Sequence, residues 1–419
     1  MQTLRGTKDI LPDDIIIWQE IYNKVMSTLD KYGYEEIRTP ILENTKLFER
    51  CIGDFTDIVN KEMYSFKDQS NRGITLRPEG TSSIARAIIS NKIYLNNKMN
   101  RLWYFGPMFR YERPQKGRQR QFHQLGIECI GSDDHIADVE VIRIAYNLLK
   151  KLKCDEECML EINSIGNTEE REIYTHALVE YLEKYRNEID KDSQRRIEKN
   201  PLRVLDSKDL KTQAILEHAP MLDNYLNKKS LHHFAKICND LEYLQIDYKV
   251  NNKLVRGLDY YNYTAFEIKT KENSQQNTIC GGGRYDKLIE QLGGPPLPAV
   301  GWAIGIERLI ILMKNKLSNK KKYNKIYIIK ENLENYHIIW NIVNVLEEYK
   351  LPFELDYKEN NLTKRIKRAY QIGAEICIIL KNDDLRNQYI KIKWISTGQE
   401  QKIQINNMKE YFHYLKKVL

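Results

Sequence analysis

Apolar side chains recur three and four residues apart between Trp18 and Lys31 (Ile21, Tyr22, Val25, Met26, Leu29). That spacing predicts an amphipathic helix, with Gly33 just beyond it as the stop. Tyr34–Pro40 then reads as a strand halted by proline. Leu102–Phe105 and Phe122–Ile130 read as two strands joined by a polar loop, hence an antiparallel pair, and Val139–Leu152 as an amphipathic helix. From Asn167 to Val250 the chain is highly charged and poor in β-branched runs, which predicts an inserted helical module. From Leu254 to Met313 strands, glycine turns and one closing helix return.

Residues 314–322 form a polar, cationic linker. After it strands are expected at Lys325–Ile329, Pro352–Tyr357, Glu375–Leu380, Gln388–Ile395 and Gln401–Ile405. Helices are expected at Leu333–Tyr349, Leu362–Ile372 and Met408–Lys417. This alternation argues for a small α/β domain with a largely parallel sheet. The expected division is a domain over 1–320, with its insertion at about 167–250, and a second over 323–419.

Hydrophobic residues make up 42% and charged residues 30% of the 419, a composition that excludes a wholly disordered chain. No apolar run approaches the ~18 residues of a membrane span. The start, Met1–Gly6, lacks the apolar core of a secretory signal, so a cytoplasmic protein is expected. The net charge is +8, and residues 321–419 hold 18 basic against 12 acidic side chains, so most of the excess sits in the last quarter. A polyanion could dock there, or the tail shares the chain's general richness in lysine. The seven cysteines are irregularly spaced and include no Cys-x-x-Cys, which argues against a disulfide framework or a zinc site, at Cys154 and Cys158 as elsewhere.

Three segments carry candidate chemistry. Phe109–Phe122 places Arg110, Arg113, Lys116, Arg118 and Arg120 within eleven residues against one acid, Glu112, with Pro114 and Gly117 marking a turn. Guanidinium forks match phosphate oxygens, and Phe122 could stack on a purine; a solvated basic hairpin is the plainer reading. Leu254–Glu267 crowds tyrosines beside Arg256, as a polar pocket or an ordinary aromatic strand would. Cys280–Asp286 and Ala299–Arg308 combine glycines with a late arginine, as a ligand cradle or a tight turn would. Neither a P-loop nor a Gly-x-Gly-x-x-Gly pattern is present, so any nucleotide must be held by arginines on an antiparallel sheet.

In this order the segments resemble the three motifs of class II aminoacyl-tRNA synthetases, and the particular words resemble the bacterial-type histidyl-tRNA synthetase family. The words run from Arg5–Asp9 through Leu76–Thr81, the Arg110 loop, Gln121–Glu128 and Arg256–Tyr261 to Gly282–Asp286 and Gly305–Arg308. The resemblance spans nearly the whole chain, and Arg256-Gly257-Leu258-Asp259-Tyr260-Tyr261 is its most specific part. It implies an α+β catalytic domain with an antiparallel sheet and a helical insertion, followed by a C-terminal α/β anticodon-binding domain. The implied reaction joins L-histidine to ATP as histidyl-adenylate, releases pyrophosphate, and transfers histidine to its tRNA.

The same resemblance implies residue roles. Arg110 and Arg256 grip the α-phosphate, Arg256 in place of a metal; Arg118 and Arg308 hold the outer phosphates; Phe122 stacks on adenine, helped by Glu112. Mg²⁺ bridges the β- and γ-phosphates. Histidine falls to Glu79, Gly80, Thr81, Gln124, Glu128, Tyr260 and Tyr261, beside Arg110 and Arg256, with Glu128 and Tyr261 on the two imidazole nitrogens. Glu128 could instead be a core-edge carboxylate paired with an arginine. His123, one residue from Phe122, should face the other side of the strand. Arg113 and Gln115 should reach the tRNA acceptor end, the insertion the acceptor arm, and the C-terminal domain the anticodon. Tyr34–Pro40 resembles the dimerisation motif, so a homodimer is expected. Three rivals compete: a regulatory histidine-binding paralogue, a class II synthetase for another amino acid, and a non-catalytic RNA-binding protein. The retained arginines and residues 323–419 oppose the first, the Arg256–Tyr261 word and Glu128 the second, and the intact pocket words the third.

Overall fold

The computed structural model describes residues 1–53, 56–96, 99–271, 277–313, 325–331, 333–358 and 361–418. The chain forms two compact units, Met1–Lys316 and Leu317–Leu419; the expected linker at 314–322 lies outside the described residues.

The first unit is built on an eight-stranded sheet. Its spatial order is Glu35–Glu36, Asn100–Phe109, Gln121–Ile130, Ala299–Gly305, Thr278–Arg284, Asn262–Thr270, Cys158–Gly166 and Tyr248–Val250. The two outermost pairings are parallel and all those between them antiparallel. A three-stranded antiparallel sheet (Leu42–Asn44, Gly73–Leu76, Tyr64–Lys67) stands apart from it. The eight-stranded sheet, antiparallel in all but its outermost pairings, is the sheet expected for the first domain.

Local chemistry sets the helix ends. The first helix spans Pro12–Leu29, earlier than its apolar stripe begins, because Pro12, Asp13 and Asp14 suit a first turn. It ends in a short turn closed by Gly33 at φ 69°. His135–Lys151 starts on the Asp134 carboxylate, which accepts from the Ile136 N–H. The Tyr34–Pro40 strand is shorter than expected. Only Glu35–Glu36 joins the ladder, against Leu102 and Trp103, because the segment ends at Pro40 and the buried Arg77 guanidinium takes the Thr39 carbonyl instead.

The charged stretch after Asn167 forms helices at Thr168–Glu183, Lys191–Lys199, Leu210–Leu216 and Lys228–Tyr243. Its last residues, Tyr248–Val250, are not helical; they add an edge strand beside Leu160–Ile162. Beyond them a short helix at Leu288–Gln291 accompanies the closing helix Ile306–Met313.

The second unit has strands in the order Phe353–Leu355, Lys325–Glu331, Ala374–Lys381, Tyr389–Trp394, Glu400–Gln404. Its helices His337–Glu348, Leu362–Gln371 and Met408–Val418 pack Ile342, Leu346, Ala369 and Phe412 against the sheet. The sheet is mixed rather than largely parallel: the first three strands are parallel and the last two antiparallel. The connection after Lys381 holds only the short helix Asn382–Arg386, too little chain for a parallel crossover.

Candidate active site

A cavity of about 220 Å³ opens on the sheet of the first unit. One end is cationic. The chain after Phe109 doubles back on itself, with Gln115 and Arg118 exchanging backbone hydrogen bonds of 3.2 and 2.9 Å and Gly117 at φ 76°. Arg118 pairs with Glu112 at 2.9 Å. Arg110 donates through Nε to the Pro78 carbonyl at 2.9 Å and lies 5.4 Å from the Phe122 ring centre. Arg308, in the first turn of Ile306–Met313, donates to the carbonyls of Gly117 (3.1 Å) and Thr278 (2.7 Å). Burial, and then the neighbouring Arg118, push the Arg308 pKa down. Burial is the larger cause; the share from Arg118 reflects cations gathered at this end, which a polyanion would relieve.

Arg256 lies at the middle. Its Nη1 pairs with Glu267, its Nε has no hydrogen-bond partner among the described residues, and its guanidinium is 5.6 Å from the Tyr261 ring centre. Burial acts to lower its pKa, but Glu267 and then the tyrosines outweigh it and the net direction is upward. Glu267 also accepts from the Thr278 hydroxyl at 3.1 Å and lies 3.3 Å from Lys269 Nζ.

The other end is a nest of hydroxyls around carboxyls. Period-two alternation along Gln121–Ile130 sends Phe122 and Gln124 into the cavity and His123 to the opposite side, against Trp18 and Glu307. The Gln124 carbonyl oxygen is buried without a partner among the described residues. Glu79 accepts from the backbone N–H of Thr81 (2.7 Å) and Ser82 (2.8 Å), where the helix Thr81–Ser90 begins. Glu128, two residues beyond Gly126 on the same face, is 1% exposed. It accepts from the Thr81 hydroxyl at 2.6 Å and from the Tyr285 hydroxyl. Burial pushes its pKa up to about 8, against the pull of those two donors.

Cross-strand register makes room for this arrangement. Tyr104 stands opposite Gly126, and Glu128 opposite Gly301. A β-carbon at Gly126 or Gly80 would overlap the Tyr104 ring, and one at Gly301 would overlap the Glu128 carboxyl.

Eleven of the expected residues line the cavity: Glu79, Thr81, Arg110, Glu112, Arg118, Phe122, Gln124, Arg256, Tyr260, Tyr261 and Arg308. Gly80 and Glu128 lie behind its wall, and Arg113 and Gln115 stand exposed on the loop. Glu128 has hydroxyl partners rather than the arginine of the plainer reading. Sequence reasoning missed Tyr104, Glu267 and Tyr285. The glycines at 126 and 301, inside buried strands, were the available signal.

The family model described as "Histidyl-tRNA synthetase" matches residues 6–309, and "Anticodon binding domain" matches 314–415. The chain belongs to the histidyl-tRNA synthetase family. It is 55% identical to the chloroplastic histidine–tRNA ligase of Gracilaria tenuistipitata var. liui over 99% of this chain and 98% of that one. It is 48% identical to the histidine–tRNA ligase of Cyanothece sp. over 96% and 93%. Among solved structures, the apo histidyl-tRNA synthetase of S. aureus matches with a TM-score of 0.81 and 33% identity, covering 98% of this chain and 99% of that one. The synthetase fold thus places a cationic wall and a hydroxyl-lined recess in one cavity.

Proposed function

We propose that the protein ligates L-histidine to its tRNA through histidyl-adenylate, consuming ATP and releasing AMP and pyrophosphate, with the cavity as its active site. The carrying observation is that Arg110, Arg118, Arg256 and Arg308 all face one cavity whose far end is polar and hydroxyl-lined. The difficulty in the first step is charge: a carboxylate must attack an already anionic phosphorus. A new C–O–P linkage forms there as the bond to pyrophosphate breaks, so fixed cations lower the barrier. Arg256 and Arg110 hold the α-phosphate, Arg118 and Arg308 the outer phosphates, and Phe122 with Glu112 the adenine.

Among the described residues no three ligating side chains converge. A Mg²⁺ would then be held mainly by the phosphates themselves, with Glu112 as the carboxylate at the cationic end that could support it, and when bound it would neutralise leaving-group charge. At the other end Glu79, Thr81 and Gln124 take the α-ammonium. Tyr260 and Gly80 close the recess, and Tyr261 and Glu128 read the acceptor and donor nitrogens of neutral imidazole. Glu128 stands just behind the recess and connects to it through the Thr81 hydroxyl. The adenylate's phosphate oxygen takes the ribose proton during transfer.

Arg113 and Gln115 meet the acceptor end, and the second unit meets the anticodon. Ile41 and Leu42, exposed just beyond Tyr34–Pro40, support a homodimer through that edge. Among the described residues no helix is long and apolar enough to cross a membrane. Relatives include chloroplastic proteins; we place the enzyme where translation occurs, in a bacterial cytoplasm or its plastid counterpart. The test is Arg256→His. Glu267 keeps Thr278 and Lys269, so folding is spared while histidine-dependent pyrophosphate exchange collapses; near-normal exchange would overturn the assignment.

A further inference from the structure

The segment Arg256–Tyr261 has no regular secondary structure of its own, yet it carries the central arginine and two pocket tyrosines. Irregular backbone holds a catalytic group only if something outside it fixes its carbonyls and turns. Here three side chains of the helical insertion do so. Arg171, on Thr168–Glu183, donates through Nη1 to the Tyr261 carbonyl at 2.5 Å. Asn200, at the end of Lys191–Lys199, donates to Asp259 Oδ1 at 2.9 Å. Arg203 donates to the Gly257 carbonyl, and its other nitrogen lies 3.7 Å from Asp57 Oδ2. From the opposite side the Asp259 N–H donates to the Ile52 carbonyl at 3.2 Å, and a β-carbon at Gly53 would overlap the Asp259 carboxyl. A cavity of about 540 Å³ lies between the insertion and the segment, lined by Arg171, Asn200 and Arg203 on one side and Arg256, Asp259 and Tyr261 on the other, so these polar contacts bridge its margin, beside the apolar packing of Tyr260 and Tyr261 in the shared core.

Two of the contacts are more than incidental tethers. No carboxylate pairs directly with Arg171 in the described residues, and burial pushes its pKa down. Arg203 buries an Nε with no partner among them. Burying a guanidinium against a backbone carbonyl is costly unless the position it enforces is worth having.

We propose that Arg171, Asn200 and Arg203 are positioning residues for amino-acid activation: the insertion clamps the Arg256–Tyr261 segment so that the guanidinium and the phenol stand at their working places before tRNA arrives. The inference rests on the active-site reading above. Since Arg256 acts on the α-phosphate and Tyr261 on histidine, loosening the clamp lowers kcat and raises KM for histidine. It leaves KM for ATP close to its parent value, because Arg118 and Arg308 hold the outer phosphates from other elements.

The experiment is pyrophosphate exchange without tRNA on the full-length enzyme, for Arg171→Ala, Arg203→Ala and Asn200→Ala, with Arg171→Lys as the conservative partner. Misplacement by a fraction of an ångström predicts a loss in kcat/KM for histidine on the order of 10- to 100-fold. Arg171→Lys should recover part of it. Unchanged exchange with impaired tRNA charging would overturn the proposal, since the residues would then serve tRNA alone. An equal rise in both KM values, or a loss tracking a lowered melting temperature across the series, would overturn it too. Should an arginine variant fail to fold, Asn200→Ala at the margin of the cavity decides by the same criteria. Arg256→His, run alongside, separates the two levels: if it retains exchange, the site reading fails; if it loses exchange while the three variants do not, only the clamp fails.

Discussion

Glu128→Gln tests the amino-acid end of the cavity through proton linkage. Burial raises the Glu128 pKa from an ordinary 4.5 to about 8. The folded protein therefore holds a proton that the unfolded chain has already released across this interval. The sign follows: the group's contribution is most favourable below the unfolded value, falls as pH climbs from about 4.5 to about 8, and is flat above. At about 1.4 kcal/mol per unit, the penalty reaches about 5 kcal/mol for the empty enzyme. Glutamine keeps the shape and carries no titrating proton. Its amide can accept from one of the Thr81 and Tyr285 hydroxyls and donate to the other. Melting temperatures measured from pH 5 to 8.5 should diverge with rising pH in favour of the variant, reaching several degrees for the catalytic unit. Histidine-dependent exchange should fall by about 10- to 100-fold, the worth of one charge-assisted hydrogen bond. Parent kcat/KM for histidine should climb toward pH 8 as the acceptor carboxylate forms, and the variant should lack that limb. Parallel melting curves for the two proteins would refute the reasoning.

Gly281→Ala should act on catalysis rather than on folding, because the added methyl would overlap the movable Arg256 guanidinium; exchange is expected to drop on the order of 100-fold with little change in melting, and full activity would count against Arg256. Arg365→Ala leaves Asp356, 4% exposed, buried without its ion-pair partner, so the second unit should lose about 3–5 kcal/mol by calorimetry; tRNA charging should fall while exchange persists.

The charge cluster at the cationic end of the cavity was visible in the sequence because Arg110, Glu112 and Arg118 occupy one hairpin, and that hairpin folds onto itself; its proposed role came through resemblance. The hydroxyl-lined end was legible only through resemblance. Its partners come from strands distant in sequence, and its working contacts depend on register. Nothing local says that Tyr104 needs Gly126 or that Glu128 needs Gly301; both facts follow from pairing across the sheet. Arg284 shows the converse. It stands in the glycine-rich word among site residues, yet it is 1% exposed and bound to Asp138, so it pins the end of its strand to the helix His135–Lys151. In the second unit the alternation of elements was readable, but strand direction was not, since it turned on the short connection after Lys381.

The two ends of the cavity pose opposite electrostatic problems, and Arg256 stands where they meet. At the cationic end, burial first and the neighbouring Arg118 second lower the pKa of Arg308. At the hydroxyl-lined end the protein keeps a buried carboxyl that resists ionisation. On the proposed reading, each ligand brings the charge or hydrogen bond that its end lacks. Glu267 supplies the connection: it raises the pKa of Arg256 and orients it, while Thr278 and Lys269 keep that carboxylate from depending on the arginine. Arg256 can thus move its free Nε onto an anionic oxygen without leaving a bare acid behind. On the proposed reading this arginine does the neutralising work of an ion at the α-phosphate, provided its backbone is held still, which gives the carbonyls of Gly257 and Tyr261 a part beside the side chains of Arg256 and Tyr261.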